Sequence, residues 1–246
     1  MILNYFRKRT VVLAVLFAVC LAPTARAGEP LKISGITEPY LDVTLGLADA
    51  GIIRTQYFKE GDAVKKGEVI LELDKNLEVL EVKRRQAVMD QNKMVLDSTR
   101  KLAESTKSVS KEDLAKAEAE YNVSAAECGI AMQQLANRSL VAPFSGSIAD
   151  ISLKPGAASA PYQPIVRLVD TSRCYFTGHV EGAAAARLHL DEPVKIQLDG
   201  GQVVSGKICF ISPTVDAASG LVKVRALFEN ADGQVRPGLA ANVTAD

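Results

Sequence analysis

One pattern occurs twice in this sequence, and a long stretch of different character separates the copies. Gly51, Ile53, Lys59 and Gly61 are matched by Gly146, Ile148, Lys154 and Gly156, each 95 residues further on. Glu68-Val-Ile-Leu-Glu-Leu-Asp74 has its counterpart in Pro164-Ile-Val-Arg-Leu-Val-Asp170. In the first copy Ile53, Phe58, Val64, Val69, Leu71 and Leu73 set an apolar alternation, and Gly61-Asp62 and Lys66-Gly67 mark tight turns. Each copy therefore reads as strand, turn, strand. Neither half can bury both of its faces alone. The expected packing is the two halves face to face in one small β-sandwich, so the intervening stretch must leave and rejoin at one edge.

That stretch, residues 76–137, is rich in Lys, Glu, Gln and Ala, has no Pro, and holds one glycine, Gly129. Hydroxyl residues replace helix formers from Ser105 to Ser110, so two helices are expected. Ser110 with Asp113 three residues on forms a capping-box pattern that opens the second helix. In that helix Leu114, Tyr121, Cys128 and Leu135 recur every seven residues, with the small Ala117, Ser124 and Ala131 between them. This is a coiled-coil seam. The first helix is less regular: Val88, Val95 and Leu102 hold one heptad register, and Leu80, Ala87 and Met94 sit one position off. Two helices of roughly 28 residues at 1.5 Å per residue make an arm of about 40 Å, too thin for a large core.

The flanks are read differently. Arg7-Lys8-Arg9, an apolar run from Thr10 to Ala22 and Ala25-Arg26-Ala27 fit a cleaved export signal over residues 1–27. The run is shorter than a spanning helix needs. Residues 28–42 are expected as a lead-in with a short strand at 31–34. The sandwich halves are placed at 43–75 and 140–170, the hairpin at 76–139, and a closing unit at 171–246. The closing unit shows only short β signals and one short helix over 182–190, which suggests a small antiparallel barrel. The fold class expected is mainly β with an inserted α-helical coiled-coil hairpin. Formal net charge is zero and Trp is absent, which argues against a nucleic-acid binder or a stacking platform for bases or sugars.

The residues at this point resemble a family. Lys59-Glu-Gly61-Asp-Ala-Val-Lys-Lys-Gly67 and Leu140-Val-Ala-Pro-Phe-Ser-Gly146 look like the divided lipoyl/biotinyl-like domain of HlyD-type membrane fusion proteins, the periplasmic adaptor subunits of tripartite efflux systems. Ile211-Ser-Pro-Thr-Val-Asp216 and Val235-Arg-Pro-Gly-Leu-Ala-Ala-Asn-Val243 are similar to the adaptor β-barrel. The resemblance implies a periplasmic location. It implies an inner-membrane transporter of the resistance-nodulation-division (RND) or ABC class as one partner and a TolC-like outer-membrane channel as another. It further implies a homo-oligomeric ring, commonly of six protomers. No cofactor and no catalysis are implied. In many members the hairpin tip carries an Arg, a Leu four residues on and a Ser seven further; here Arg100 is followed by Glu104, and Ser110 falls one position short. Arg100, Glu104, Ser110 and Leu114 are the candidate partner-binding residues of the tip. Many members continue past the barrel into a membrane-proximal domain, whereas this sequence ends at Asp246. The expectation is a shortened adaptor, one using other surfaces, or one needing a second adaptor.

Residues that could carry sharper chemistry also have plainer roles. A swinging-arm carrier presents a modified Lys at a turn between the two halves, and here the hairpin replaces that turn; Lys65-Lys66 reads as solvated charge. Cys128, Met132, Met89 and Met94 could bind a soft metal ion, but the plainer reading is packing within the hairpin. No metal site is assigned. Cys174 and Cys209 could pair in an oxidising compartment or stay as buried thiols. No Gly-x-Ser-x-Gly, His-Glu-x-x-His or phosphate-binding glycine loop is present. The alternative function is a non-transport envelope scaffold that uses the same coiled coil and lipoyl-like fold.

Overall fold

The computed structural model describes residues 31–106 and 110–245; the export-signal reading lies outside the described residues. Twelve strands, numbered in chain order, and three helices make up the described chain. Two strands, β1 (Leu31–Leu45) and β8 (Val166–Glu181), are the longest of the described chain, at 15 and 16 residues. They pair antiparallel from Gly35↔Gly178 to Leu45↔Val166, with a register shift between Pro39 and Leu41. Above the shift they belong to one module and below it to another.

The first module is a closed barrel of six strands. Its order is β1, β12 (Ala240–Ala245), β9 (Pro193–Leu198), β10 (Val203–Ile211), β11 (Leu221–Glu229) and β8, which returns to β1. Phe176, Phe228, Ile33, Ile196 and Ile208 fill its interior. Full burial of each such side chain is worth about 1.5–3 kcal/mol against exposure. Phe176 needs room. A Cβ on Gly178 would lie 2.8 Å from its ring, and one on Gly35, the strand partner of Gly178, would lie 2.2 Å from the Thr177 carbonyl oxygen. The expected lead-in is thus corrected over its described residues: residues 31–42 belong to strand β1, whose first part closes the barrel, and Ile33 is core. The expected helix over 182–190 shrinks to α3 (Gly182–Ala185), because the chain turns through Leu188 and Asp191 into β9.

The second module is the split sandwich, and its halves are interleaved. One sheet runs β1, β8, β6 (Gly146–Ile151), β3 (Ala63–Val64); the other runs β5 (Ser139–Val141), β4 (Val69–Leu73), β2 (Gly51–Gln56), β7 (Ala158–Ser159). Each sheet takes two strands from each repeat, which refines the expectation of one half facing the other. The 95-residue offset survives as an approximate two-fold symmetry of hydrogen bonds. Gly61 N–H donates to the Ile148 carbonyl at 2.8 Å, and Gly156 N–H donates to Ile53 at 2.8 Å. Tyr57 donates to Ile70, and Ser152 to Ile165. Gly67 donates to Ala142, and Tyr162 to Leu47. Ile53, Ile70, Leu71, Leu73, Ile148, Ile165 and Leu168 form the shared core.

At one position the symmetry strains the chain. Gly67 has φ +89°, a conformation glycine adopts freely; its counterpart Tyr162 is held at φ +58°. The Tyr162 side chain is 80% exposed, so little packing offsets the conformation. A left-handed non-glycine residue costs roughly 1–2 kcal/mol, and a glycine there returns about half of that as unfolded-chain entropy. Tyr162→Gly should therefore raise the urea midpoint, by the equivalent of about 0.5 kcal/mol, and Gly67→Tyr should lower it by about 1 kcal/mol. A lower midpoint for Tyr162→Gly would show that the ring has a packing role.

Candidate functional site

The hairpin leaves the sandwich after β4 and returns into β5. Helix α1 spans Asn76–Thr106 and α2 spans Lys111–Ala136. At 1.5 Å per residue the longer reaches about 46 Å. Ser110 caps α2 as the sequence indicates: its Oγ accepts from Asp113 N–H at 3.0 Å and donates to Asp113 Oδ2 at 2.7 Å. Arg138 ties the foot of the arm to the β module. Its Nη1 donates to the Ala50 carbonyl at 2.7 Å, its Nη2 pairs with Glu78 at 2.7 Å, and its carbonyl accepts from Leu73 N–H.

The seam of α2 is the expected one. Ala117, Ser124, Cys128 and Ala131 are buried, with Leu114, Tyr121 and Leu135 half-buried beside them. The seam of α1 is different from the one the sequence suggested. Residues turned inward there are Val82, Arg85, Met89, Asn92, Leu96, Thr99 and Ala103, at alternating three- and four-residue spacing. Val88, Val95, Leu102, Leu80, Ala87 and Met94 all lie exposed, Leu80 at 61% and Met94 at 65%. The reason lies in the partner helix. Its small side chains bring the two backbones close, and long polar side chains of α1 then reach groups on α2. Arg85 pairs with Glu127, Asn92 donates to the Glu120 carbonyl at 3.3 Å, and the Cys128 thiol donates to Gln86 Oε1 at 3.3 Å. Those three contacts also fix which residues of the helices stand level. The apolar face left outside by α1 is joined on α2 by Val123 and Ile130, the latter 61% exposed.

The tip candidates are not drawn into one cluster. Arg100 stands 4.0 Å from Glu118, Glu104 is exposed, the Ser110 hydroxyl is engaged in the cap, and Leu114 is half-buried in the seam. The sulfur candidates diverge too: Cys128 is buried, Met132 and Met94 face outward, and Met89 is half-buried. Lys65 and Lys66 sit exposed in the turn before Gly67, their amides bonded to Glu68 and Ser145. Cys174 and Cys209 are both free. Cys174 lies in the barrel core and Cys209 is exposed, so pairing them would mean turning a strand over. Burial pushes both thiols up, that of Cys174 to about 11, which leaves them protonated and poorly nucleophilic.

Near the foot, Glu81 accepts from Arg84 and Arg85, and Arg85 reaches on to Glu127. Those arginines hold the Glu81 carboxyl down from its ordinary 4.5 to about 2. A depressed folded-state pKa contributes stability that is present above about 4.5 and is lost as pH falls toward 2. Between pH 5 and about pH 2, native protein should therefore lose more of its melting temperature than Glu81→Gln does. Identical acid profiles, read by helical circular dichroism, would show that the pairing contributes nothing.

Comparisons with known proteins agree with this architecture. Residues 177–246 match the family model described as CusB-like, β-barrel domain. The chain is 25% identical to Multidrug resistance protein MdtE of Escherichia coli K12, over 87% of this chain and 63% of that one. It is 28% identical to Multidrug resistance protein MexA of Pseudomonas aeruginosa, over 77% of this chain and 54% of that one. It therefore spans between about half and two thirds of the length of these curated relatives. Among solved structures it superposes on a MacA–MexA chimeric protein carrying the Pseudomonas aeruginosa MexA α-hairpin domain, with TM-score 0.77, 21% identity, and coverage of 88% of this chain and 78% of that one. It also superposes on the membrane fusion protein Spr0693 of Streptococcus pneumoniae R6, with TM-score 0.70, 15% identity, and coverage of 88% and 98%. None of these four is named for a catalysed reaction. With barrel, interleaved sandwich and hairpin in the same order, the chain has the fold of these membrane fusion (periplasmic adaptor) proteins, and its residues 177–246 are similar to the CusB-like β-barrel domain.

Proposed function

We propose that this protein is a periplasmic adaptor that joins an inner-membrane transporter, of the RND or ABC class, to a TolC-like outer-membrane channel for efflux or secretion. The observation that carries the reading is that the arm and the barrel leave the sandwich at opposite ends. From the hairpin foot the chain runs through β5 to Gly146, which lies against Val169, and from there β8 continues into the barrel. A body built this way can hold one partner at the barrel and another about 40 Å or more away at the helix tip. Arg100, Glu104, Ser110 and Leu114 are the tip residues assigned to the channel. Assembly as a homo-oligomeric ring, of six copies by family resemblance, would surround the exported compound. The names of the relatives MdtE and MexA as multidrug resistance proteins support export as the process.

The arm would then transmit assembly and opening mechanically. Among the described residues no group of three His, Cys, Asp or Glu could hold a metal ion, and no helix is long and apolar enough to cross a membrane. Attachment to either membrane is assigned to the partners.

Deleting the gene should raise susceptibility to exported toxic compounds at least several-fold, and the native protein should restore resistance. A charge reversal at the tip, Arg100→Glu with Glu104→Arg, should fail to restore it while keeping native helical content. Resistance unchanged by the deletion, together with a misshapen envelope, would favour the scaffold reading.

A further inference from the structure

The arm is joined to the body by two stretches of backbone and is packed into neither core. Asp74 and Lys75 lead from β4 into α1, and Asn137 and Arg138 lead from α2 into β5. Leu73 N–H donates to the Arg138 carbonyl at 2.9 Å, so the two attachments lie side by side. Among the described residues of 76–137, none belongs to the barrel core or to the sandwich core. Two adjacent attachments leave one rotation open, a tilt of the arm about the line that joins them. Apolar burial does not stop that rotation, so a polar contact away from the line must.

The Arg138 guanidinium makes such a contact. Its Nη1 donates to the Ala50 carbonyl, in the loop before β2, at 2.7 Å, and its Nη2 pairs with Glu78, in the first turn of α1, at 2.7 Å. One side chain thus holds a loop of the body with one nitrogen and a helix of the arm with another. Its seat is kept clear by a glycine: a Cβ on Gly51 would lie 3.2 Å from Nη1. Gly146, the counterpart of Gly51 in the repeat, makes room instead for β8, where a Cβ would lie 2.3 Å from the Val169 carbonyl oxygen.

The same contact has room to open. Arg138 Nε is buried and has no hydrogen-bond partner among the described residues, so the closed bridge carries the desolvation cost of an unmade bond. Beside it lies an open cavity of about 620 Å³, lined by Asp49, Ala50, Glu78, Gln134, Asn137 and Arg138. Its walls come from both body and arm, so a lean of the arm narrows it without driving one packed side chain into another. Asp49, in the body wall, offers the guanidinium a second carboxylate.

We propose that Arg138 is the positioning residue of the arm, and that it has two settings. Bridged to Ala50 and Glu78, it holds the arm at the angle of this structure. Released from Glu78, it pairs with Asp49 as the arm leans into the cavity. Exchanging one carboxylate for the other keeps the guanidinium in a charge-assisted pair at both angles. On an arm of about 46 Å, a tilt of about 10° carries the tip about 8 Å. The inference goes beyond the adaptor reading and does not need it.

Distances between spin labels on the isolated full chain test this. Cys209 is exposed and is first replaced by Ser; Cys128 and Cys174 are buried and stay. One label sits on the arm at Met94→Cys and the other on the body, at Lys66→Cys or at Lys154→Cys; all three positions are exposed. The native bridge should give one narrow distance distribution from each body site. Glu78→Gln should move at least one of them to a second defined distance. Adding Asp49→Asn, or making Arg138→Gln alone, should instead broaden it at least twofold. Labels at Met94→Cys and Val123→Cys, one on each helix of the arm, should report the same distance in every variant. Distributions unchanged by Arg138→Gln would overturn the proposal, as would a second distance that survives Asp49→Asn. A change in the Met94–Val123 distance would also overturn it, by showing that the arm itself had come apart. The adaptor reading is scored separately, by the resistance of the deletion strain.

Discussion

Two strands hold this molecule together. β1 and β8 pair with each other along nearly their whole lengths, and each contributes one end to the barrel and the other to the sandwich. Neither module is complete without them. Removing β1 would open the barrel between β12 and β8 and strip an edge from the sandwich at once. The register shift at Pro39/Leu41 is where one core ends and the next begins, and it is laced by side chains. The Arg173 guanidinium lies 3.7 Å over the Tyr40 ring, Tyr40 stacks on Tyr175 with centroids 5.5 Å apart, and Arg225 covers the far side of Tyr175 at 4.4 Å. Arg225 also pairs with Glu38, whose carboxyl is held down by that guanidinium and the Thr177 hydroxyl despite partial burial. Cation–π contacts of this kind are worth about 0.5–1 kcal/mol each where partly exposed. Two of them, with the Tyr40–Tyr175 stack between, brace the waist.

The sandwich shows why the arm could be placed where it is. In the approximate two-fold, each strand of one repeat has a counterpart in the other, and the connection between the repeats is the one segment without a partner to match. It leaves β4 and enters β5, which are hydrogen-bonded neighbours. Any insertion whose two ends meet is tolerated there without disturbing either sheet, and an antiparallel helix pair satisfies that condition by construction. Arg138 then fixes the arm to the body through Ala50 and Glu78.

The repeat itself was legible because glycines at turns and apolar residues at alternate positions are local requirements. Gly61 and Gly156 must adopt positive φ, and Ile53 and Ile148 must point inward, whatever the rest of the chain does. The helix cap at Ser110 was legible for the same reason. What could not be read was the exchange of strands between sheets, because pairing is non-local and the same alternation serves either partner. The length of β1 was missed on other grounds. Residues 41–44 are exposed on both faces near the waist, so the alternation that marks a half-buried strand fades there. Ser110, a tip candidate through the resemblance, also caps α2 as its capping-box pattern indicates.

The α1 helix separates what periodicity can say from what it cannot. Val88, Val95 and Leu102 repeat every seven residues as a coiled-coil seam should, yet Leu96 is the buried residue and they are not. A heptad repeat states that a helix face needs cover. It does not state which molecule provides it. Inside the hairpin, α2 offers Ala117, Ser124 and Ala131, and such small residues leave close backbones and little apolar depth. Polar side chains that can reach across, Arg85 and Asn92 among them, satisfy that interface with hydrogen bonds to Glu127 and the Glu120 carbonyl. The seam that closes the hairpin, from Val82 to Ala103, keeps its own three- and four-residue spacing with polar residues in it, so counting apolar heptads alone picks the wrong face.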